Sequence, residues 1–118
     1  MPPAADRRRA LGAAGEDLAA KWYSSRGYEV LARNWRCPRG EVDLIAARKG
    51  EIVFCEVKAR ASASFGTPAE AVTAAKQRRL RLLATLWFVD NPAQQARVVR
   101  FDVACVMSGS LEIIEAAF

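Results

Sequence analysis

Asp43, Glu56 and Lys58 are two acids and an amine set into segments that otherwise read as core. The apolar runs 42–47 and 52–57 flank Arg48-Lys49-Gly50-Glu51, so Gly40 to Arg60 reads as a β-hairpin turning at Lys49-Gly50. A turn there places Asp43 opposite Glu56 and Glu41 opposite Lys58, all on one face with Ile45, Phe54, Ala47 and Ile52. The other face carries Val42 with Val57, Leu44 with Cys55 and Ala46 with Val53. Directly opposed Cβ atoms lie about 4.5 to 5.5 Å apart. Two ionised carboxylates at that separation repel by roughly 3 kcal/mol at an effective dielectric near 20.

A divalent cation held between Asp43 and Glu56, with Lys58 beside it, offsets that repulsion. Two carboxylates leaving several waters on the ion suit Mg²⁺, or Mn²⁺ in its place, and such an ion activates water and stabilises charge on a phosphate. The competing arrangement is a Glu41–Lys58 surface ion pair, with Asp43 and Glu56 at a solvated strand end or sharing a proton. As a pattern, an Asp followed by Glu-x-Lys is common by chance.

Composition narrows the chemistry. The 118 residues, 52% of them hydrophobic, suit a single domain spanning 1–118 with a flexible tail over 1–6. A net charge of +5 favours an acidic partner, nucleic acid being the commonest. The absence of histidine removes His general bases and His-metal nucleases, leaving carboxylates and lysine. Cys37, Cys55 and Cys105 are widely spaced and form no Cys-x-x-Cys pair, which points to a reducing cytoplasm and no structural zinc. Arg7-Arg8-Arg9 resembles the start of an export signal, but the apolar run after it stops at Glu16-Asp17, and no run has the ~20 residues that span a bilayer.

The remaining elements must position the hairpin. A first helix from about Asp6 to Gly27 carries an apolar stripe of Leu11, Gly15, Leu18 and Trp22, with Glu16 off its centre and, by spacing, exposed. Tyr28 to Arg36 reads as a strand, with Val30, Ala32 and Asn34 on one side and Leu31, Arg33 and Trp35 on the other. Trp35 is read at the core edge or stacked on a base, Trp22 and Trp87 as core. Ala59 to Gly66 is a loop in which Arg60 either meets a phosphate or is a solvated cation. Thr67-Pro68-Ala69-Glu70 starts a second helix reaching about Val89, with a stripe of Val72, Leu80, Leu83 and Trp87. Lys76 falls inside that stripe and either snorkels or reaches the sheet end where a phosphate would lie. Arg78, Arg79 and Arg81 make a candidate backbone-binding patch or a solvated face. Strands over 96–107 and 111–117 complete the order. A helix between the strand ending at Lys58 and the next one suits a right-handed parallel crossover, so the class is α/β: a mixed sheet with an αβββαβ core, a C-terminal strand and helices packed on it.

Gly15-Glu16, Arg33-Asn34, Gly40-Glu41-Val42-Asp43-Leu44-Ile45, Phe54-Cys55-Glu56-Val57-Lys58-Ala59-Arg60, Phe65-Gly66-Thr67-Pro68, Lys76 and Arg100-Phe101-Asp102 together resemble the PD-(D/E)XK, restriction-endonuclease-like superfamily. Within it they most resemble the YraN-like family of small bacterial proteins, and the layout is similar to archaeal Holliday-junction resolvases. The resemblance implies that Asp43, Glu56 and the Val57 carbonyl bind the metal. It further implies that Lys58 orients or deprotonates the attacking water and that Glu16 joins from the helix as a further acid. Arg60, Lys76 and Arg79 then contact nucleic acid, DNA before RNA.

Three functions follow as expectations. The first is a Mg²⁺-dependent endonuclease hydrolysing DNA phosphodiester bonds, on branched or damaged DNA, for which a homodimer would suit branched substrates. The second is a non-catalytic nucleic-acid-binding module. The third is an interaction protein of a DNA-processing complex. No base-reading motif is present.

Overall fold

Lys49 and Gly50 both take positive φ, 49° and 80°, which is the backbone of a tight two-residue hairpin turn. In this computed structural model they join β2 (Gly40–Arg48) to β3 (Glu51–Arg60). The antiparallel ladder runs from Arg48 opposite Glu51 to Leu44 opposite Cys55, the register expected from the turn. It stops there. Asp43 and Glu56 are not ladder partners, and neither are Glu41 and Lys58. The structure describes residues 4–60 and 72–118, and for 4–9 and Arg60 the backbone only.

α1 (Ala4–Ser25) starts two residues earlier than expected. It closes in a Schellman turn: Tyr28 N–H donates to the Tyr23 carbonyl at 3.1 Å and Gly27 N–H to the Ser24 carbonyl at 3.2 Å, with Gly27 at φ 84°. β1 (Glu29–Cys37) then pairs antiparallel with β2, β3 pairs parallel with β4 (Val98–Met107), and β4 pairs antiparallel with β5 (Ser110–Ile114). The sheet order β1-β2-β3-β4-β5, with α2 (Ala74–Asp90) in the parallel crossover, is the expected mixed sheet.

One helix covers each face. Under α2, its residues Leu80, Leu83, Ala84 and Trp87 pack on Val42, Ile45, Ile52, Phe54, Phe101 and Val103. Under α1, Ala19 and Tyr23 pack on Leu44, Ala46, Val53, Cys55 and Ala104. The buried α1 stripe is therefore Gly15, Ala19 and Tyr23: Gly15 is as expected, Ala19 and Tyr23 stand one residue round from the expected Leu18 and Trp22, and Trp22 is half-buried at the flank. Small residues let the helix lie close: a Cβ on Gly15 would stand 3.4 Å from methyls of Val57 and Val106. Gly15→Leu is expected to cost about 1 to 3 kcal/mol by overpacking, read as a shift in a urea unfolding midpoint.

Further departures have local causes. A β-bulge between Val30 and Ala32 puts Leu31 and Ala32 both against the α2-side cluster, so simple alternation along β1 fails. Val42 packs under α2 although Leu44 and Ala46 pack under α1, so alternation also breaks at Asp43. The α2 start at Thr67-Pro68 falls outside the described residues; α2 begins at Ala74, its N-cap Thr73 accepting from Lys76 N–H at 3.3 Å. β4 begins at Val98 and its Val99 is exposed. β5 ends at Ile114, because Ala116 turns with φ 50° and Ala117 N–H donates to the Phe101 carbonyl, stacking Phe118 on Phe101. Among the described residues no helix is long and apolar enough to cross a membrane.

Candidate metal centre and active site

The site lies where β2 and β3 part. Beyond Leu44 the two strands no longer exchange ladder bonds, and the Asp43 carboxylate occupies the gap, accepting the Val57 N–H at 2.8 Å. The carbonyl of an extended residue points to the same side of its strand as the N–H, so the Val57 carbonyl faces the same opening. Glu56 lies on the α2 face of β3 with Ile52 and Phe54, as period-2 alternation requires, and Lys58 follows on that face with its Nζ 3.4 Å from the Glu56 carboxylate. Asp43 and Glu56 line one cavity of about 180 Å³ with Glu41, Lys76, Arg79, Leu80 and Leu83.

Burial, and after it the negative charge of Glu56, push the Asp43 carboxyl from its ordinary 3.8 up to about 7; the Val57 N–H works against this, and Glu16 and Glu41 add to it. Burial and the neighbouring acids thus disfavour the charged form of Asp43, which a divalent cation would favour. No group of three or more His, Cys, Asp or Glu side chains converges into a closed cage among the described residues. Asp43, Glu56 and the Val57 carbonyl are the groups here that could hold a cation, and such a donor set suits Mg²⁺, an ion that keeps several waters.

This carboxyl sets a pH dependence with a definite sign. Its pKa is raised on folding, so its contribution to stability is complete below pH 3.8 and is lost as pH rises through about 7. At 1.36 kcal/mol per pKa unit the loss is at most about 4 kcal/mol. Urea titrations of metal-free protein at pH 5 and pH 8 are expected to show this fall, and Asp43→Asn to flatten it.

Other site residues arrive from three elements. Glu16 sits on α1 beside the close-packed Gly15, its side chain only 16% exposed; Asn34 Nδ2 donates to it at 3.0 Å, and Arg33 lies 4.0 Å away while bridging Asp17 at 2.7 Å. Glu16 is thus tethered toward Asp43 and is not the exposed residue its spacing suggested. Asn34 takes φ 53°, a conformation Asn tolerates, and the Arg33-Asn34 pair of the motif resemblance was its signal in the sequence. Lys76 reaches the cavity, where hydrogen bonding with Lys58 is the main cause that lowers its pKa. Arg79 lines the same cavity because Gly40, at φ 143°, has no Cβ; one there would meet Arg79 Cδ at 3.4 Å.

Some expectations are corrected. Glu41 pairs with Arg36 at 3.1 Å, not with Lys58, because the ladder that would have opposed them has ended. Arg81 lies over the Phe101 and Phe118 rings. Arg60 closes β3, and its side chain is outside the described residues.

Sequence reasoning also missed a buried network on the α1 side of β4. Asp102 is fully buried; it accepts two bonds from Arg100 at 2.8 Å, the Tyr23 hydroxyl and Ala116 N–H at 3.0 Å. Arg100 continues to Glu51 at 2.8 Å, which also accepts the Tyr28 hydroxyl. Residues two apart share a strand face, so Arg100-x-Asp102 was the available signal. Tyr23 stands two helical repeats from Gly15 and Glu16, and the network therefore fixes the helix that delivers Glu16.

A five-stranded mixed sheet, a helix on each face, and two acids and a lysine gathered where β2 and β3 part define a restriction-endonuclease-like protein. The chain belongs to the uncharacterised protein family UPF0102, whose model matches residues 15–106 and so takes in Glu16, Asp43, Glu56, Lys58 and Lys76. This is the YraN-like family of the motif resemblance, within the restriction-endonuclease-like superfamily. A UPF0102 protein of Rhodococcus opacus (strain B4) is 55% identical over 100 residues, covering 85% of this chain and 84% of that one. One of Nocardia farcinica (strain IFM 10152) is 52% identical over 102 residues, covering 85% and 78%. One of Clavibacter michiganensis subsp. michiganensis (strain NCPPB 382) is 43% identical over 116 residues, covering 94% and 98%.

Proposed function

We propose that this protein is a divalent-metal-dependent phosphodiesterase acting on nucleic acid, DNA in preference to RNA, with Mg²⁺ or Mn²⁺ as cofactor. The observation that carries the reading is Asp43 and Glu56 lining one cavity with Lys76 and Arg79, the Asp43 carboxyl raised by burial and by the charge of Glu56. Asp43, Glu56 and the Val57 carbonyl hold the cation, which when bound supplies electrostatic stabilisation of the phosphate and lowers the pKa of water.

The chain's own groups do the rest. Lys58, anchored by Glu56, orients the attacking water. Lys76, its pKa lowered beside Lys58, and Arg79 balance charge on the phosphate oxygens. Glu16, fixed by Asn34, adds a further acid at the gap. A basic net charge and the lack of a base-reading motif favour recognition of backbone and shape over sequence.

The test is incubation of purified protein with labelled duplex, nicked, flapped and four-way DNA, and with RNA, in Mg²⁺ or Mn²⁺. Metal-dependent cleavage that Asp43→Asn abolishes is expected. Equal cleavage by the variant, or none on any substrate, would remove the enzyme reading.

A further inference from the structure

The hairpin end of the sheet, opposite the carboxylates, carries a second cluster that the candidate chemistry does not use. Arg26, Arg48, Lys49 and Arg97 lie together there. Arg48 lies 4.2 Å over the Tyr28 ring while its Nη1 donates to the Arg26 carbonyl at 2.8 Å. Arg26 itself lies 4.0 Å over the Trp22 ring. Arg97 lies against Gly50, where a Cβ would stand 3.0 Å from its Nε, and the N–H groups of Arg97 and Val98 both donate to the Gly50 carbonyl.

Arg48, Lys49 and Arg97 line a cavity of about 430 Å³ with Gly50, Glu51 and Val98. The one carboxylate in that lining, Glu51, is engaged by Arg100 and the Tyr28 hydroxyl, each at 2.8 Å. Among the described residues none of the four cations forms an ion pair. The Arg26 and Arg48 guanidinium groups, held on ring faces and in Arg48's case by a backbone carbonyl, with their charge left unmatched among the described residues, lose little freedom when an anion arrives. That distinguishes this cluster from solvated lysines.

We infer that the β2–β3 hairpin end is a second phosphate-backbone site, at which Arg26, Arg48, Lys49 and Arg97 hold a stretch of nucleic acid away from the candidate metal centre. Glu51 and Glu56 are five residues apart on β3, so the two sites are separated by roughly 17 Å at about 3.3 Å per residue. That is about five base-pair steps of a duplex at 3.4 Å each, so one nucleic acid reaches both. The inference rests on the nucleic-acid part of the function proposed above and is independent of its hydrolytic part.

The test is metal-free binding of a labelled 20-base-pair duplex across a salt series. Arg48→Gln with Lys49→Asn is compared with a charge-matched control at exposed residues outside both sites, Lys21→Gln with Arg39→Gln, and with Lys76→Gln/Arg79→Gln in the candidate site. Asn suits position 49, whose φ is 49°, and Lys49→Asn alone serves if the pair fails to fold. The hairpin pair is expected to lose about tenfold in affinity and to lower the salt slope by about two, and Lys49→Asn alone by about one. Affinity and slope equal to the charge-matched control would overturn the inference. So would loss of poly-glutamate binding with DNA binding unchanged, which would make the patch a site for an acidic polypeptide. Loss confined to Lys76→Gln/Arg79→Gln would overturn this site and leave the function proposed above standing. A wild-type protein that binds no nucleic acid would remove both.

Discussion

Glu56→Gln is expected to lower metal-dependent phosphodiester hydrolysis on the order of 10³-fold while the protein stays folded. Gln keeps the shape of a side chain that is only 18% exposed and removes the charge that anchors Lys58 at 3.4 Å and that, in the proposed site, would complete the cation's ligands. In the proposed mechanism one substitution thus disturbs both the metal and the lysine that orients the water. Single-turnover cleavage at rising Mg²⁺ separates the two: weakened metal binding recovers with concentration, and a misplaced lysine does not. Both losses are expected, so saturating metal should restore only part of the rate.

Asp102→Ala is expected to destabilise the fold by about 3 to 5 kcal/mol, lowering the melting temperature by about 10 to 20 °C. It removes the fully buried carboxylate that receives Arg100, the Tyr23 hydroxyl and Ala116 N–H, and leaves the 14% exposed Arg100 side chain with Glu51 and the more exposed Glu115. A charge left half-paired in the interior costs more than the pair itself contributes. Arg100→Met combined with Asp102→Leu should therefore cost less than Asp102→Ala alone. Thermal unfolding followed by circular dichroism checks both variants, and equal losses would mean that packing and not charge sets the effect.

The parts of this molecule legible in its sequence are those governed by period and turn chemistry. Apolar runs around Lys49-Gly50 gave the hairpin and its register up to Leu44 and Cys55, and a crossover helix gave the parallel pairing of β3 with β4. The α1 stripe was placed correctly at Gly15 but drawn through the larger Leu18 and Trp22, because the buried Ala19 has little side chain to reveal it. The bulge at Leu31 adds a residue without any change in composition, so alternation hid it. Asp43 was assigned by extending the ladder one pair too far. The ladder opens there because the carboxylate itself takes the Val57 N–H. Lys76 inside an apolar stripe was a local rule broken, and it leads into the cavity.

The central claim is that Asp43 and Glu56 share one cation, and titration of Mn²⁺ into metal-free protein by calorimetry at pH 8 tests it most directly. One ion per chain is expected, with affinity that falls about tenfold for each pH unit below about 7 as Asp43 retains its proton, and with binding lost in Glu56→Gln. Equal binding by Glu56→Gln, or no binding to the wild type at millimolar metal, would contradict the claim.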